Sequence, residues 1–171
     1  MPGFCWNNDY TVNSLSKHHS TLFQGRNGMT YSDYLKNCKF DELELQFREI
    51  ASADQVPIAK LALYATASMK HLAEYETSFR DLKGSGGVCI GCGISDQNWY
   101  PRVVELFAAT LEQASNTGTI RAVDHHRVGR MYLDAILSLM MHRVGSTPPN
   151  GIEDDVRVLM DLYLNGLRER F

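Results

Sequence analysis

Apolar residues at helical spacing predict two long helices in the C-terminal third of the chain, from Asp124 to Phe171. The first carries two neighbouring apolar stripes: Val128, Tyr132, Ala135 and Leu139, and Met131, Ile136, Met140 and Val144. The second, after the turn-forming residues 145–151, has apolar positions at Val156, Leu159, Met160, Tyr163, Leu164 and Leu167. An apolar arc as wide as that of the first helix exceeds what one packing face needs, so we expect it to have two packing partners.

The same spacing predicts further helices upstream. One begins near Asp41, a longer one runs from Pro57 to about Asp81, and one follows Trp99 and stops near Gly118. Asp124 is expected to cap the first of the two closing helices. No segment alternates apolar and polar residues with a period of two, and the predicted fold is therefore all-α.

The first 40 residues differ from the rest of the chain. Asn, Ser, Gly and His are frequent there and apolar periodicity is absent, although short helices are possible at 11–17 and 30–37. We therefore divide the chain into an atypical N-terminal segment, 1–40, and a helical domain, 41–171.

Composition narrows the function classes. A formal net charge of −3 over 171 residues gives no overall attraction to phosphate. The four cysteines, at positions 5, 38, 89 and 92, lack the spacing of a secreted disulfide scaffold, and no apolar run reaches the length of a membrane span. A reduced, cytoplasmic protein without membrane contact is expected.

Three strings in this order carry a family resemblance. They are Gly87-Val88-Cys89-Ile90-Gly91-Cys92 with Ser95-Asp96-Gln97-Asn98, the helix end 111–118, and the sequence LYLNGL at 162–167. With the order of helices, they make residues 41–171 resemble the C-terminal ligand-binding and dimerisation domain of the TetR family of bacterial transcriptional regulators.

The N-terminal segment departs from that family, whose members carry a helix-turn-helix that enters the major groove. Residues 10–17 and 21–23 weakly resemble parts of the helix-turn-helix signature of the family, but only three residues, His18-His19-Ser20, separate them. Residues 1–39 also have too few basic side chains for several phosphate contacts. A missing or degenerate helix-turn-helix is expected, and DNA binding is not.

The resemblance implies a cavity for a small apolar or aromatic ligand. The side chains expected to line it are Tyr64, Met69, Cys89, Cys92, Trp99, Phe107, Met131, Tyr132 and Ala135. Methionine adapts to irregular ligands, and Tyr or Trp adds one polar group. Any one of the aromatic and sulfur side chains on these helices also suits an ordinary core.

The resemblance further implies a homodimer in which the closing helices form a four-helix bundle. The expected interface residues are Val128, Ile136, Leu139, Met140, Val156, Leu159, Met160, Tyr163 and Leu167.

Catalytic chemistry has little support in the sequence. The spacing Cys89-x-x-Cys92 has no second cysteine or histidine pair at zinc spacing, and no catalytic set of side chains stands out, so neither metal nor cofactor is expected.

The leading hypothesis is a TetR-like regulator that senses an apolar ligand and acts by protein–protein contact, as an anti-regulator that binds another regulatory protein. The alternatives are a small helical enzyme using Cys or His chemistry in the same cavity, and a DNA-binding repressor with an atypical N-terminal module.

Overall fold

The computed structural model describes residues 31–84, 98–145 and 151–167, and within these ranges every regular element is a helix. The helices are α1 (Tyr31–Asn37), α2 (Phe40–Ser52), α3 (Pro57–Glu74), α4 (Glu76–Gly84), α5 (Trp99–Asn116), α6 (His125–Arg143) and α7 (Ile152–Leu167). The all-α prediction is thereby confirmed for the described part of the chain. The helix that the sequence allows at 11–17 lies outside it.

Helix α3 is the central element, because it contacts α2, α4, α5, α6 and α7. Pro57 lies in its first turn, as predicted, where a missing backbone N–H costs nothing. Its buried side chains include Leu61, Tyr64 and Met69, each at most 3% exposed. These five helices surround α3, whose buried side chains lie on more than one of its faces.

The most extensive helix–helix contact joins α5 and α6. The two run in opposite directions, since His126 lies beside Glu105 while Asp134 lies beside Tyr100. A glycine permits their close approach: a Cβ atom added at Gly129 would lie 3.1 Å from the backbone nitrogen of Ala108 on α5. As predicted, Asp124 caps α6, accepting a hydrogen bond of 3.0 Å from the backbone N–H of Arg127.

Basic side chains from elsewhere in the fold bind the carboxyl ends of three helices. The Lys60 ammonium donates to the Ala51 carbonyl of α2 at 2.7 Å, and Lys83 of α4 donates to the Val144 carbonyl after α6 at 2.7 Å. Arg121 similarly donates to the Gly166 carbonyl of α7 at 3.2 Å. A cation at a helix carboxyl end satisfies free carbonyls and interacts favourably with the helix dipole.

Two features differ from the sequence-based expectation. The single helix expected from Pro57 to about Asp81 is wrong at its end, because the chain leaves helical geometry at Tyr75 (φ −108°, ψ 26°) and α4 begins after it. This turn directs α4 against α1 and places Phe79 in the core. The core also extends across the division drawn at residue 40, since Leu35 and Cys38 are buried in it.

We expect Gly129→Val to destabilise the protein by about 1–3 kcal/mol more than Gly166→Val, because only the first forces carbon atoms into a closely packed helix contact. Nothing lies within 4 Å of a Cβ added at Gly166, so this variant controls for the lower helix propensity of valine. Urea unfolding of both variants measures the difference. Equal midpoints would show that α5 and α6 do not depend on the close approach at Gly129.

Candidate functional site

Three of the predicted ligand-binding residues form one aromatic stack. The rings of Tyr64 and Phe107 lie parallel, with centroids 4.5 Å apart, and Tyr132 packs on Phe107 at 5.6 Å. All three side chains are at most 1% exposed. These three residues, which the sequence analysis assigned to one ligand site, pack their rings against one another and so join α3, α5 and α6.

The hydroxyl groups of this stack have partners within the protein. Tyr132 donates to the Leu61 carbonyl at 2.8 Å and also contacts the sulfur of Met160. The Tyr64 hydroxyl pairs with that of Thr110 at 3.1 Å. Burial raises the pKa of Tyr132 and that of Tyr64, so both phenols stay neutral. These groups specify how the helices pack, since a buried polar group without a partner is costly.

A second aromatic cluster lies at the start of α5. Trp99 stacks on Phe40, with centroids 4.6 Å apart, and Phe40 meets Phe79 edge to face at 5.6 Å. Trp99 is 4% exposed, and its buried indole Nε1 has no hydrogen-bond partner in the part of the chain that the structure describes. Most buried indole N–H groups find an acceptor, so this donor is an unusual feature of the predicted ligand set.

The remaining predicted ligand residues are distributed differently. Met69 is 1% exposed in the core, Met131 is 55% exposed on the outside of α6, and Ala135 is half-buried. Cys89 and Cys92 lie outside the described residues. The structure thus separates Met131 from the aromatic stack, because its position on α6 points away from α5 and α3.

The residues predicted for the dimer interface fall into two groups. Ile136 and Met140 are 0% exposed, and a single copy of the chain already covers them. A single copy also buries Val156, Leu159, Met160 and Leu167, each to 8% exposure or less. Val128, Leu139 and Tyr163 are half-buried.

Large apolar side chains are exposed on the two closing helices. Val158 is 55% exposed and Leu162 is 71% exposed, one turn apart on α7, and Met131 projects from α6. The two helices lie side by side and antiparallel, since Tyr132 meets Tyr163 and Arg143 pairs with Asp155. We call the surface formed by Val128, Met131, Ala135, Leu139, Val158 and Leu162 the outer face.

An open cleft of about 450 Å³ lies elsewhere, between α5 and the start of α6. Its polar lining is Glu105, Glu112, Asp124, His125 and His126. Nothing in the sequence relates the adjacent His125 and His126 to Glu105, which pairs with His126 at 2.9 Å. Among the described residues no group of three His, Cys, Asp or Glu side chains is placed to hold a metal ion.

One buried charge was not anticipated. Glu44 is 5% exposed and accepts hydrogen bonds from Arg102 of α5 at 2.9 Å and from Arg48 at 2.7 Å. The hydrogen bonds from Arg102 hold the pKa of this carboxyl below its usual range, against the opposing effect of burial, with Arg48 adding to the shift. The spacing of Glu44 and Arg48 suggests only an exposed ion pair on one helix. In the structure the Glu44 carboxylate also binds Arg102 and thereby joins α2 to α5.

Comparison of the chain with family models, with curated proteins and with solved structures gives no match. No helix in the described ranges has both the length and the apolar character needed to cross a membrane.

Met69→Ala is expected to lower the free energy of unfolding by about 2–5 kcal/mol, because it leaves a cavity in the core. Met131→Ala, the same substitution at a position of the same predicted ligand set that is exposed in one copy of the chain, should lower it by less than Met69→Ala does, because it leaves no cavity in the core of that copy. Chemical denaturation of the two variants tests this. If Met131→Ala destabilised the protein as much as Met69→Ala, our description of the outside of α6 would be incorrect.

Proposed function

We propose that this chain is a TetR-like regulatory domain that forms a homodimer through its outer face and acts by protein–protein contact. The observation that carries the proposal is the exposure of Met131, Val158 and Leu162 on two neighbouring closing helices. Isolated exposed apolar residues are common on any protein surface. A group of them, bordered by half-buried apolar residues on the same side, is typical of an association surface.

A second copy of the chain suits this face because its charges are complementary under two-fold symmetry. In a bundle of two antiparallel helix pairs, the first half of α6 lies beside the first half of the partner copy's α7. The first turn of α6 exposes Arg127, and the first half of α7 exposes Asp154, which within one copy pairs with Arg157 of the same helix. An Arg127–Asp154 pair across the axis would place opposite charges beside the apolar centre, once for each copy.

The two sides of α6 explain the wide apolar arc. Ile136 and Met140 belong to the side that builds the core, and Met131 belongs to the side that remains uncovered in one copy. Within the chain α6 packs against α3, α5 and α7, and the proposed second chain would cover the side that carries Met131.

We place the sensing of a small, mostly apolar molecule at the second aromatic cluster. The unpartnered Nε1 of Trp99 supports a ligand with one hydrogen-bond acceptor, such as a carbonyl, against an otherwise apolar surface. Phe40 and Phe79 supply that surface. A shift of Trp99 on ligand binding would move α5. Because α5 packs closely against α6, the movement would reach the outer face.

The role as an anti-regulator that pairs with another regulatory protein rests on the same outer face, since a related chain would present a similar surface. The DNA-binding alternative depends on residues 1–30, and the Cys89 and Cys92 chemistry of the enzyme alternative depends on residues 85–97; neither range is among the described residues. Both alternatives, including histidine chemistry in the enzyme, stay predictions.

Leu162→Glu is expected to dissociate the dimer, weakening self-association roughly 100-fold or more, because each copy would bury an unpaired carboxylate in an apolar contact. Leu45→Glu is the matched control: Leu45 is 61% exposed on α2, away from the outer face. Sedimentation velocity at micromolar concentration distinguishes the two. The proposal predicts dimers of the wild type and of Leu45→Glu, and monomers of Leu162→Glu.

A monomeric wild type, or a Leu162→Glu dimer as stable as that of the control, would refute the proposed use of the outer face. Circular dichroism of both variants separates dissociation from unfolding, since a folded monomer keeps its helix content.

A further inference from the structure

His71 of α3 is buried and linked to a turn at the amino-terminal end of the described chain. It is 1% exposed, and its Nε2 lies 2.7 Å from the backbone carbonyl oxygen of Cys38. Cys38 belongs to the turn between α1 and α2, where Lys39 adopts the left-handed conformation with φ 52°. The imidazole thus holds a backbone carbonyl that no helix ladder satisfies.

The geometry fixes the protonation state of this imidazole. A carbonyl oxygen only accepts hydrogen bonds, so Nε2 carries the proton and donates it. The other ring nitrogen, Nδ1, is buried and has no hydrogen-bond partner among the described residues. A second proton on Nδ1 would create a buried cation with no acceptor for its N–H, in contact with the rings of Tyr75 and Phe79.

The charged groups around the ring do not compensate for this burial. Burial lowers the pKa of His71, and this effect exceeds the opposing effects of the Cys38 carbonyl and of the carboxylates of Glu74 on α3 and Glu42 on α2. The Glu42 carboxylate already accepts a hydrogen bond of 2.6 Å from Tyr75.

The thiol of Cys38 lies beneath the same turn. It is 0% exposed, and burial, together with the charge of Asp81 on α4, raises its pKa to about 12. The thiol is therefore unreactive while the turn is in place. Helix α1, which precedes Cys38, packs against α4, and the Cys38 side chain is fully buried, so the thiol is reached only when this part of the fold opens.

We propose that His71 is an acid-sensitive tether, which holds the α1–α2 turn against α3 and, on protonation, releases that turn and exposes the thiol of Cys38. The proposal is independent of dimerisation, because α1 and the turn lie away from the outer face. The proton that Nδ1 accepts from solvent is the only change in covalent bonding.

The direction of the pH effect follows from the lowered pKa. In the closed form His71 is neutral. The free energy that favours the closed form over the open form therefore has its full value above the ordinary histidine pKa of about 6.5. As the pH falls below that value, the open form takes up a proton that the closed form resists. Between pH 7.5 and 5.5 the open population should rise about tenfold if the closed form stays neutral.

Labelling of the wild type with a pyridyl disulfide, which reacts at acidic pH, measures the opening. The Cys38 sulfur attacks the reagent's S–S bond, forms a mixed disulfide and releases thiopyridone, and peptide mass analysis separates Cys38 from Cys5, Cys89 and Cys92. With rates normalised to a cysteine peptide at each pH, we expect labelling of Cys38 to increase about tenfold from pH 7.5 to 5.5, as the linkage requires.

Two variants show which histidine is responsible. His71→Gln keeps an N–H donor for the Cys38 carbonyl but cannot titrate, so its normalised labelling should not change with pH. His126→Gln, at an exposed histidine paired with Glu105, should behave as the wild type. Labelling of the wild type that is independent of pH, or the same increase in His71→Gln, would overturn the proposal.

If His71→Gln does not fold, the wild type alone decides the matter by nuclear magnetic resonance of its histidine side chains. A neutral His71 protonated at Nε2, with a native-state pKa below 6.5, is required. A native-state pKa at or above 6.5 would overturn the tether.

Discussion

The close packing of α5 against α6 is the contact on which the other elements depend. It exists because Gly129 has no side chain, so that the backbone of α6 approaches Ala108 and the ring of Tyr132 reaches Phe107. Tyr64 of α3 also stacks on the ring of Phe107. Displacing α6 by the width of a methyl group would separate these rings, and the dispersion contacts between them fall steeply with distance.

Long-range polar contacts complete the fold where local sequence does not. The carboxyl ends of α2 and α6 are bound by Lys60 and Lys83, and α2 is joined to α5 by the buried carboxylate of Glu44. Each contact satisfies a group that would be costly to bury alone. The fold therefore combines an apolar centre with cationic side chains that bind helix ends.

The sequence was informative where a local rule applied and uninformative where the partner is distant. Helical periodicity located α5, α6 and α7, and the capping rule identified Asp124. Periodicity alone does not distinguish the apolar positions of α6 from one another. Ile136 is buried and Met131 is exposed because of where the neighbouring helices lie. Nor does any local pattern relate His71 to a carbonyl 33 residues away. The sequence predicts that Tyr64, Phe107 and Tyr132 lie on helices, as they do, but the packing of their rings against one another is a property of the folded chain.

In this account α6 stabilises one copy of the chain with its inner side and contacts a second copy with the outer face. Native-state hydrogen exchange at two protein concentrations tests both parts together. We predict that the amides of α5 and α6 around Gly129 are the slowest to exchange, because they open only with the whole fold. We also predict that exchange in α7 slows as the concentration rises, because a second copy covers Val158 and Leu162. Exchange in α7 that does not depend on concentration, or faster exchange around Gly129 than in α2, would contradict the account.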